Sequence, residues 1–101
     1  MERYALQLEM IRSFPHRVLK RLYARDDPAS IRPDLLERVR TILGRLDAAE
    51  TIDDMRIPSY RLHALKGDLK GYRAVTVRAN WRIVFRYEDG DAYEVELLDY
   101  H

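Results

Sequence analysis

From Tyr72 to Leu98 the chain alternates apolar and polar residues in three runs, separated only by Arg78-Ala79-Asn80 and Glu88-Asp89-Gly90. Runs of period two joined by loops that short fold as antiparallel hairpins, since a parallel crossover needs a dozen residues or more. Strands are expected over residues 61–66, 72–77, 81–87 and 91–98, with turns at Gly67 and Gly71 joining the first two.

The register follows from burial. Trp81, Ile83, Phe85 and Tyr87 share one face of their run, and Tyr93, Val95 and Leu97 share one face of the next. Burying both sets together requires Trp81 opposite Leu97, Ile83 opposite Val95 and Phe85 opposite Tyr93. A three-residue loop, Glu88-Asp89-Gly90, preserves that match with Gly90 left-handed, whereas a two-residue Asp89-Gly90 turn breaks it by one residue. In the preceding hairpin, a loop of Arg78-Ala79-Asn80 pairs Val77 with Trp81 and Val75 with Ile83, and gives Asn80 the left-handed position. The opposite face then carries Arg82, Val84, Arg86, Glu94, Glu96 and Leu98, with Arg82 across from Glu96 and Tyr100 continuing the alternation. Arg73 falls on the core face near Phe85, its stem on apolar surface and its head reaching water.

The N-terminal half is helical by the same reasoning. Leu35, Leu36, Val39, Ile42, Leu43 and Leu46 form an apolar stripe of helical period behind Pro33, a favoured first helical residue, with Asp34 and Glu37 in the positively polarised first turn. Residues 16–25 repeat the pattern on a smaller scale: Val18, Leu19, Leu22 and Tyr23 on one face, Arg17, Lys20, Arg21 and Arg25 on the other, ended by Asp26-Asp27-Pro28. Met10, Ile11 and Phe14 read as a short first strand before Pro15, and residues 51–60 as a connector with one helical turn around Asp53 to Met55. The fold class is therefore α+β: a small antiparallel sheet with two N-terminal helices packed on one face. Residues 10–101 form the single domain, and residues 1–9 an extension, since Met10 offers a second start. The first residues contain two Glu and lack a signal-peptide core, and no apolar run reaches the ~20 residues of a membrane span. A cytoplasmic protein without membrane attachment is expected, in keeping with the absence of cysteine.

Charge is unevenly placed. The formal net charge is only +1. Yet Arg61, Lys66, Lys70, Arg73, Arg78, Arg82 and Arg86 precede a stretch holding Glu88, Asp89, Asp91, Glu94, Glu96 and Asp99 with no cation. A basic patch able to hold a polyanion is compatible with that balance. The three histidines, His16, His63 and His101, lack zinc-ligand spacing, no glycine-rich phosphate loop is present, and no serine sits on a strand–turn–helix elbow. Cleavage of RNA needs none of these. The 2′-hydroxyl is the nucleophile, and the protein must move protons, for which imidazole is suited, and stabilise a charged phosphate, for which Lys and Arg are suited. If His63 shares the non-core face, that face collects His63, Arg82 and Tyr100, with His101 beside them and Lys66 in reach. Each residue also has a structural account: a strand histidine, a frayed terminus, cross-strand pairs of Arg82 and Arg86 with Glu94 and Glu96, and an aromatic sheet edge.

The segments MIRSF, DDP, YRLHALKGDLKGY, VRANWRIVFRYEDGDAY and the closing DYH decide between them. In that order they resemble the HigB toxins, a branch of the RelE/ParE superfamily of bacterial toxin–antitoxin systems, over roughly residues 10–101. The resemblance implies a RelE-like fold with a curved sheet and a metal-free messenger RNA endonuclease acting in the ribosomal A site. It implies catalytic roles for His63, Asp99, Tyr100 and His101, and RNA-binding roles for Lys66 and Arg82; Arg73 and Arg86 join them as further phosphate contacts. The implied partners are a HigA-like helix-turn-helix antitoxin, the ribosome and mRNA, with no cofactor. The sequence departs from the family at Arg73, where an aromatic residue usually follows Gly-Tyr, and at Ala64, where proline is frequent. Two other readings follow from the superfamily: a ParE-like inhibitor of DNA gyrase, and an attenuated toxin serving as antitoxin partner.

Overall fold

A computed structural model describes residues 11, 19, 22 and 31–99. Helix α1, Pro33–Ala48, starts where the sequence places it, with proline in its first turn. The Arg32 guanidinium grips the Asp34 carboxylate with two hydrogen bonds, at 3.1 and 2.8 Å, and so fixes the entering chain. Leu35, Val39, Ile42, Leu43 and Leu46 are buried, which is the stripe read from the sequence less its half-buried margin at Leu36. Arg45 lies in the last turn, where the helix dipole favours a cation.

Two 3₁₀ turns follow, Ile52–Met55 and Pro58–Tyr60. The Asp54 carboxylate accepts from the backbone N–H groups of Glu50 at 2.8 Å and Thr51 at 3.2 Å, satisfying donors a short helix leaves orphaned. Met55 and Tyr60 are buried, so the connector is part of the core. Arg38 of α1 holds it down, donating to the Ser59 carbonyl at 3.1 Å while its guanidinium lies 5.3 Å from the Tyr60 ring centre.

The sheet has four antiparallel strands in sequence order: β1 (His63–Ala64), β2 (Tyr72–Arg78), β3 (Trp81–Glu88) and β4 (Asp91–Asp99). The expected first strand, 61–66, shrinks to two residues. Arg61 adopts a left-handed conformation at its start, and Lys66 leads into a 3₁₀ turn, Gly67–Leu69, at its end. Ile11 forms a single parallel bridge to Ala92, so the expected N-terminal strand touches β4; Met10 and Phe14 lie outside the described residues. Leu19 and Leu22 are helical and buried in the core, while the rest of the expected 16–25 helix lies outside the described residues. One α-helix in full and one antiparallel sheet therefore make an α+β fold. No described helix is long and apolar enough to cross a membrane.

Both hairpin loops differ from expectation. Glu88 pairs with Asp91, leaving a two-residue Asp89-Gly90 turn with φ of 52° and 83°. Such a turn matches the right-handed twist of its strands. The one-residue mismatch it creates is absorbed further along: Arg86 pairs with Tyr93 but Val84 with Glu96, so Glu94 and Val95 bulge opposite Phe85, with Glu94 at φ 53°. Ile83 consequently faces Leu97 and Trp81 faces Asp99, two residues from the expected partners. Tyr93 moves to the non-core face, and Ala92 takes the buried place. In the earlier hairpin Val75 does pair with Ile83, but Arg78 pairs with Trp81, and Val77 is the bulged residue. There Ala79, rather than Asn80, takes the positive φ, at 50°.

The main core lies between α1 and one sheet face, with Phe85, Ile83, Val75 and Val95 fully buried. The other sheet face is not bare. Leu65, Ala74 and Val84 form a second cluster there, flanked by Leu69, Tyr72 and Leu98.

Candidate functional site

That second cluster is the floor of the candidate site. Residues paired directly across antiparallel strands project to the same face. The rows on the face away from α1 are therefore His63, Ala74, Val84 and Glu96; Thr76, Arg82 and Leu98; and Tyr72, Arg86 and Tyr93. His63 does share the face of Arg82, as the alternation requires. Strand spacing of ~4.8 Å and a rise of ~3.4 Å per residue put their Cα atoms roughly 12 Å apart, within the joint reach of the two side chains.

His63 is exposed, and its Nδ1 lies 2.9 Å from the Arg61 carbonyl oxygen. A carbonyl only accepts, so Nδ1 carries the proton. The neutral ring then presents the Nε2 lone pair away from that contact, a base in one protonation state and an acid in the other. The left-handed turn at Arg61 is what aims this carbonyl back at the ring. β1 holds the imidazole with only two strand pairs, and a hydrogen bond of 2.9 Å from Leu65 N–H to the Tyr72 carbonyl secures the residues after it.

Arg82 folds over the β2–β3 turn, donating from Nη1 to the carbonyls of Ala79 at 2.6 Å and Trp81 at 3.2 Å. Its Nε is buried with no hydrogen-bond partner among the described residues. The expected cross-strand pair with Glu96 is absent, because Arg82 sits opposite Leu98 and Glu96 opposite Val84. Lys66 is exposed just beyond β1, at the start of the 3₁₀ turn. Arg73 is half-buried opposite Phe85, as the sequence indicated, and so belongs to the α1 face. Asp99 is exposed and pairs with Trp81, which packs on the main core. The register thus places Asp99 on the face away from His63, whereas its neighbour Leu98 sits opposite Arg82. Tyr100 and His101 lie outside the described residues.

Arg86 stands apart from the other cations. Its guanidinium pairs with Glu88 at 2.8 Å and Glu94 at 3.4 Å and lies 5.1 Å from the Tyr93 ring centre. Tyr72 donates its hydroxyl to the same Glu94. That hydrogen bond, with Arg86 beside it, lowers the Glu94 carboxyl below its ordinary range, and the same bond together with burial raises the Tyr72 hydroxyl. The contact of Tyr72 with Glu94 was not legible in the sequence: alternation puts both on the non-core face, but the bulge sets where along β4 Glu94 lies, opposite Phe85 and next to the Arg86 row that Tyr72 shares. The signal available was weak: a Glu in an otherwise alternating strand whose partner loop is too short for the alternation. Among the described residues no three His, Asp or Glu side chains converge as metal ligands would.

Residues 12–101 match the family described as RelE-like toxin of type II toxin-antitoxin system HigB. The chain belongs to this HigB-like toxin family. Among its relatives, the "Endoribonuclease HigB" of Proteus vulgaris is 41% identical over 92 residues, covering 91% of this chain and 100% of that protein. "Toxin HigB-1" of Vibrio cholerae serotype O1 is 35% identical over 71 residues, covering 69% of this chain and 70% of the relative. In this HigB-like chain the sheet face away from α1, hereafter the groove face, thus carries His63 and Arg82, with Lys66 near it. Arg73 and Asp99 are on the other face, and Arg86 is committed to carboxylates.

Proposed function

We propose that the protein is an endoribonuclease, the toxin of a type II toxin–antitoxin pair, which cleaves mRNA in the ribosomal A site of the cytoplasm and is held inactive by a HigA-like helix-turn-helix antitoxin. The domain is residues 10–101, with residues 1–9 as an addition. Kinship with a full-length relative named endoribonuclease supports the activity. The observation that carries the chemistry is His63: exposed, on the groove face, with Nδ1 tied down and Nε2 left open.

The reaction needs only what RNA and this chain bring. A base takes the 2′-hydroxyl proton, the 2′-oxygen attacks the adjoining phosphorus, and the P–O5′ bond breaks. The departing 5′-oxygen takes a proton from an acid, leaving a 2′,3′-cyclic phosphate and a 5′-hydroxyl. His63 and His101 share the two proton transfers. Tyr100 stands at the scissile phosphate, and Arg82 and Lys66 stabilise the charge that gathers there. Asp99, from the far side of β4, orients the terminal residues rather than touching RNA. DNA lacks the nucleophile, so the reaction selects RNA.

The test is cleavage of a message on programmed ribosomes, with the ends mapped. Wild type leaves 5′-hydroxyl ends. His63→Ala, or removal of His101, lowers the rate by ~10²–10⁴-fold, the usual share of one proton-transfer group. Full activity in both variants rejects the site.

A further inference from the structure

The groove has a neighbour. A cleft of about 190 Å³ opens beside β1, at the edge of the sheet, lined by Arg56, Ile57, Pro58, Arg61 and Leu62. It is small for a drug-sized ligand and suits a single ring system. Its walls divide by chemistry into an apolar part, Ile57, Pro58 and Leu62, and two guanidinium groups. The Arg56 charge is answered by Asp53 at 2.6 Å. Arg61 forms no ion pair and no side-chain hydrogen bond among the described residues. It is also held at φ 49° and ψ 47°, a left-handed conformation that disfavours any residue with a Cβ and that glycine would adopt freely. The backbone there serves His63, and the exposed arginine side chain it carries stands unpaired, among the described residues, beside the apolar wall. The cleft is joined to the proposed chemistry through the same residue, because the Arg61 carbonyl accepts the His63 Nδ1 hydrogen bond.

We propose that this cleft is the subsite for a nucleotide flanking the scissile linkage, its base lying on Ile57, Pro58 and Leu62 and its phosphate meeting the Arg61 guanidinium. The inference rests on the endoribonuclease reading and adds where the strand runs: past Arg61 and over the β1 edge. Apolar surface rimmed by an uncommitted cation is the chemistry that receives single-stranded nucleic acid, a base with its charged backbone.

Arg61→Gly is the informative variant, since glycine keeps the left-handed turn, and with it the carbonyl that orients His63, while deleting the cation. On programmed ribosomes it should raise KM about tenfold, the size of one charged hydrogen bond, with kcat held within about twofold. Arg61→Lys should recover most of the loss, and an abasic nucleotide beside the cleaved linkage should raise the wild-type KM. An unchanged KM in Arg61→Gly overturns the subsite, and so does a fall in kcat alone, which would mean that Arg61 acts only by setting the imidazole. If wild type cleaves nothing, the endoribonuclease reading fails instead. The cleft is then judged by methyl NMR of Ile57 and Leu62 during titration with a short single-stranded RNA carrying one 2′-deoxy linkage. Saturable shifts lost in Arg61→Gly support it, and their absence overturns it.

Discussion

Leu65 is the residue whose truncation best tests how His63 is held. β1 contributes two strand pairs to the sheet, and Leu65, 7% exposed, follows it immediately. Its side chain packs with Ala74 and Val84 on the groove face, outside the main core. Replacing it by alanine removes three carbons; at ~0.8 kcal/mol each this is roughly 2.4 kcal/mol, or about a 60-fold shift in an opening equilibrium. That cost falls on a small unit that can open by itself, since α1 and β2–β4 keep all their mutual contacts. Native-state amide exchange reads the opening at one site, the Leu65 N–H bonded to the Tyr72 carbonyl. In Leu65→Ala this amide should exchange about 60-fold faster while amides of Ile83 and Val95 change by less than about threefold. Protection of the Leu65 amide within about threefold of wild type would refute the reasoning, and so would a uniform rise across the sheet, which would make Leu65 part of one global unit.

Other substitutions probe separate parts of the molecule. His63→Ala should leave the thermal midpoint within ~2 °C of wild type, because the side chain is exposed, so that its loss of cleavage reports chemistry rather than folding. Glu94 has a lowered folded-state pKa, mainly through the Tyr72 hydrogen bond, so its contribution is present above the ordinary carboxylate range and fades as pH falls through the folded value. Tyr72→Phe should accordingly lower the thermal midpoint at neutral pH, and the two curves should converge on acidification; a constant gap down to acid pH would contradict the assignment. Gly90→Ala should cost ~1–2 kcal/mol in a denaturant titration from backbone strain alone, since an added Cβ would meet only the Glu50 carbonyl at an ordinary 3.7 Å.

The sequence made legible those parts of the fold that repeat a period. The α1 stripe, the Pro33 start, the sheet order and the face assignment of β3 follow from patterns that nothing nonlocal disturbs. Legibility failed where two local rules conflict. At 88–91 unbroken alternation favours a three-residue loop, while Asp-Gly favours a two-residue turn; the turn prevails, and the strand pays one bulge at Glu94, moving Ala92 and Tyr93 to faces that plain alternation does not give. At Arg61 the sequence reads as extended, whereas the residue is left-handed between Tyr60 and Leu62, both of which pack on the main core. Of the candidate residues, the shared face of His63 and Arg82 was readable from position along strands, whereas Lys66, expected at a strand end, caps a 3₁₀ turn. The commitment of Arg86 to Glu88 and Glu94 was half readable, as a cross-strand pair, and the role of Tyr72 in it was not.

The meander topology converts a feature of the sequence into one of the surface. Because the strands lie in the sheet in the order they occur in the chain, a separation of charge along the sequence becomes a separation across the sheet. Arg61, Lys66 and Lys70 gather at the β1 side against Asp68, with Arg56 answered by Asp53, and Asp91, Glu94, Glu96 and Asp99 at the β4 side. Arg86, the cation of β3 nearest the acids, is consumed in holding the bulge, so it softens the acidic side without extending the basic one. A polyanion approaching the groove face is therefore drawn toward the edge that carries His63 and turned from the opposite one, although the chain's formal net charge is only +1. Such a field orients a strand better than it grips one. On the proposed function it suits an RNA already held in place, and the subsite proposed at Arg61 lies at the same β1 edge.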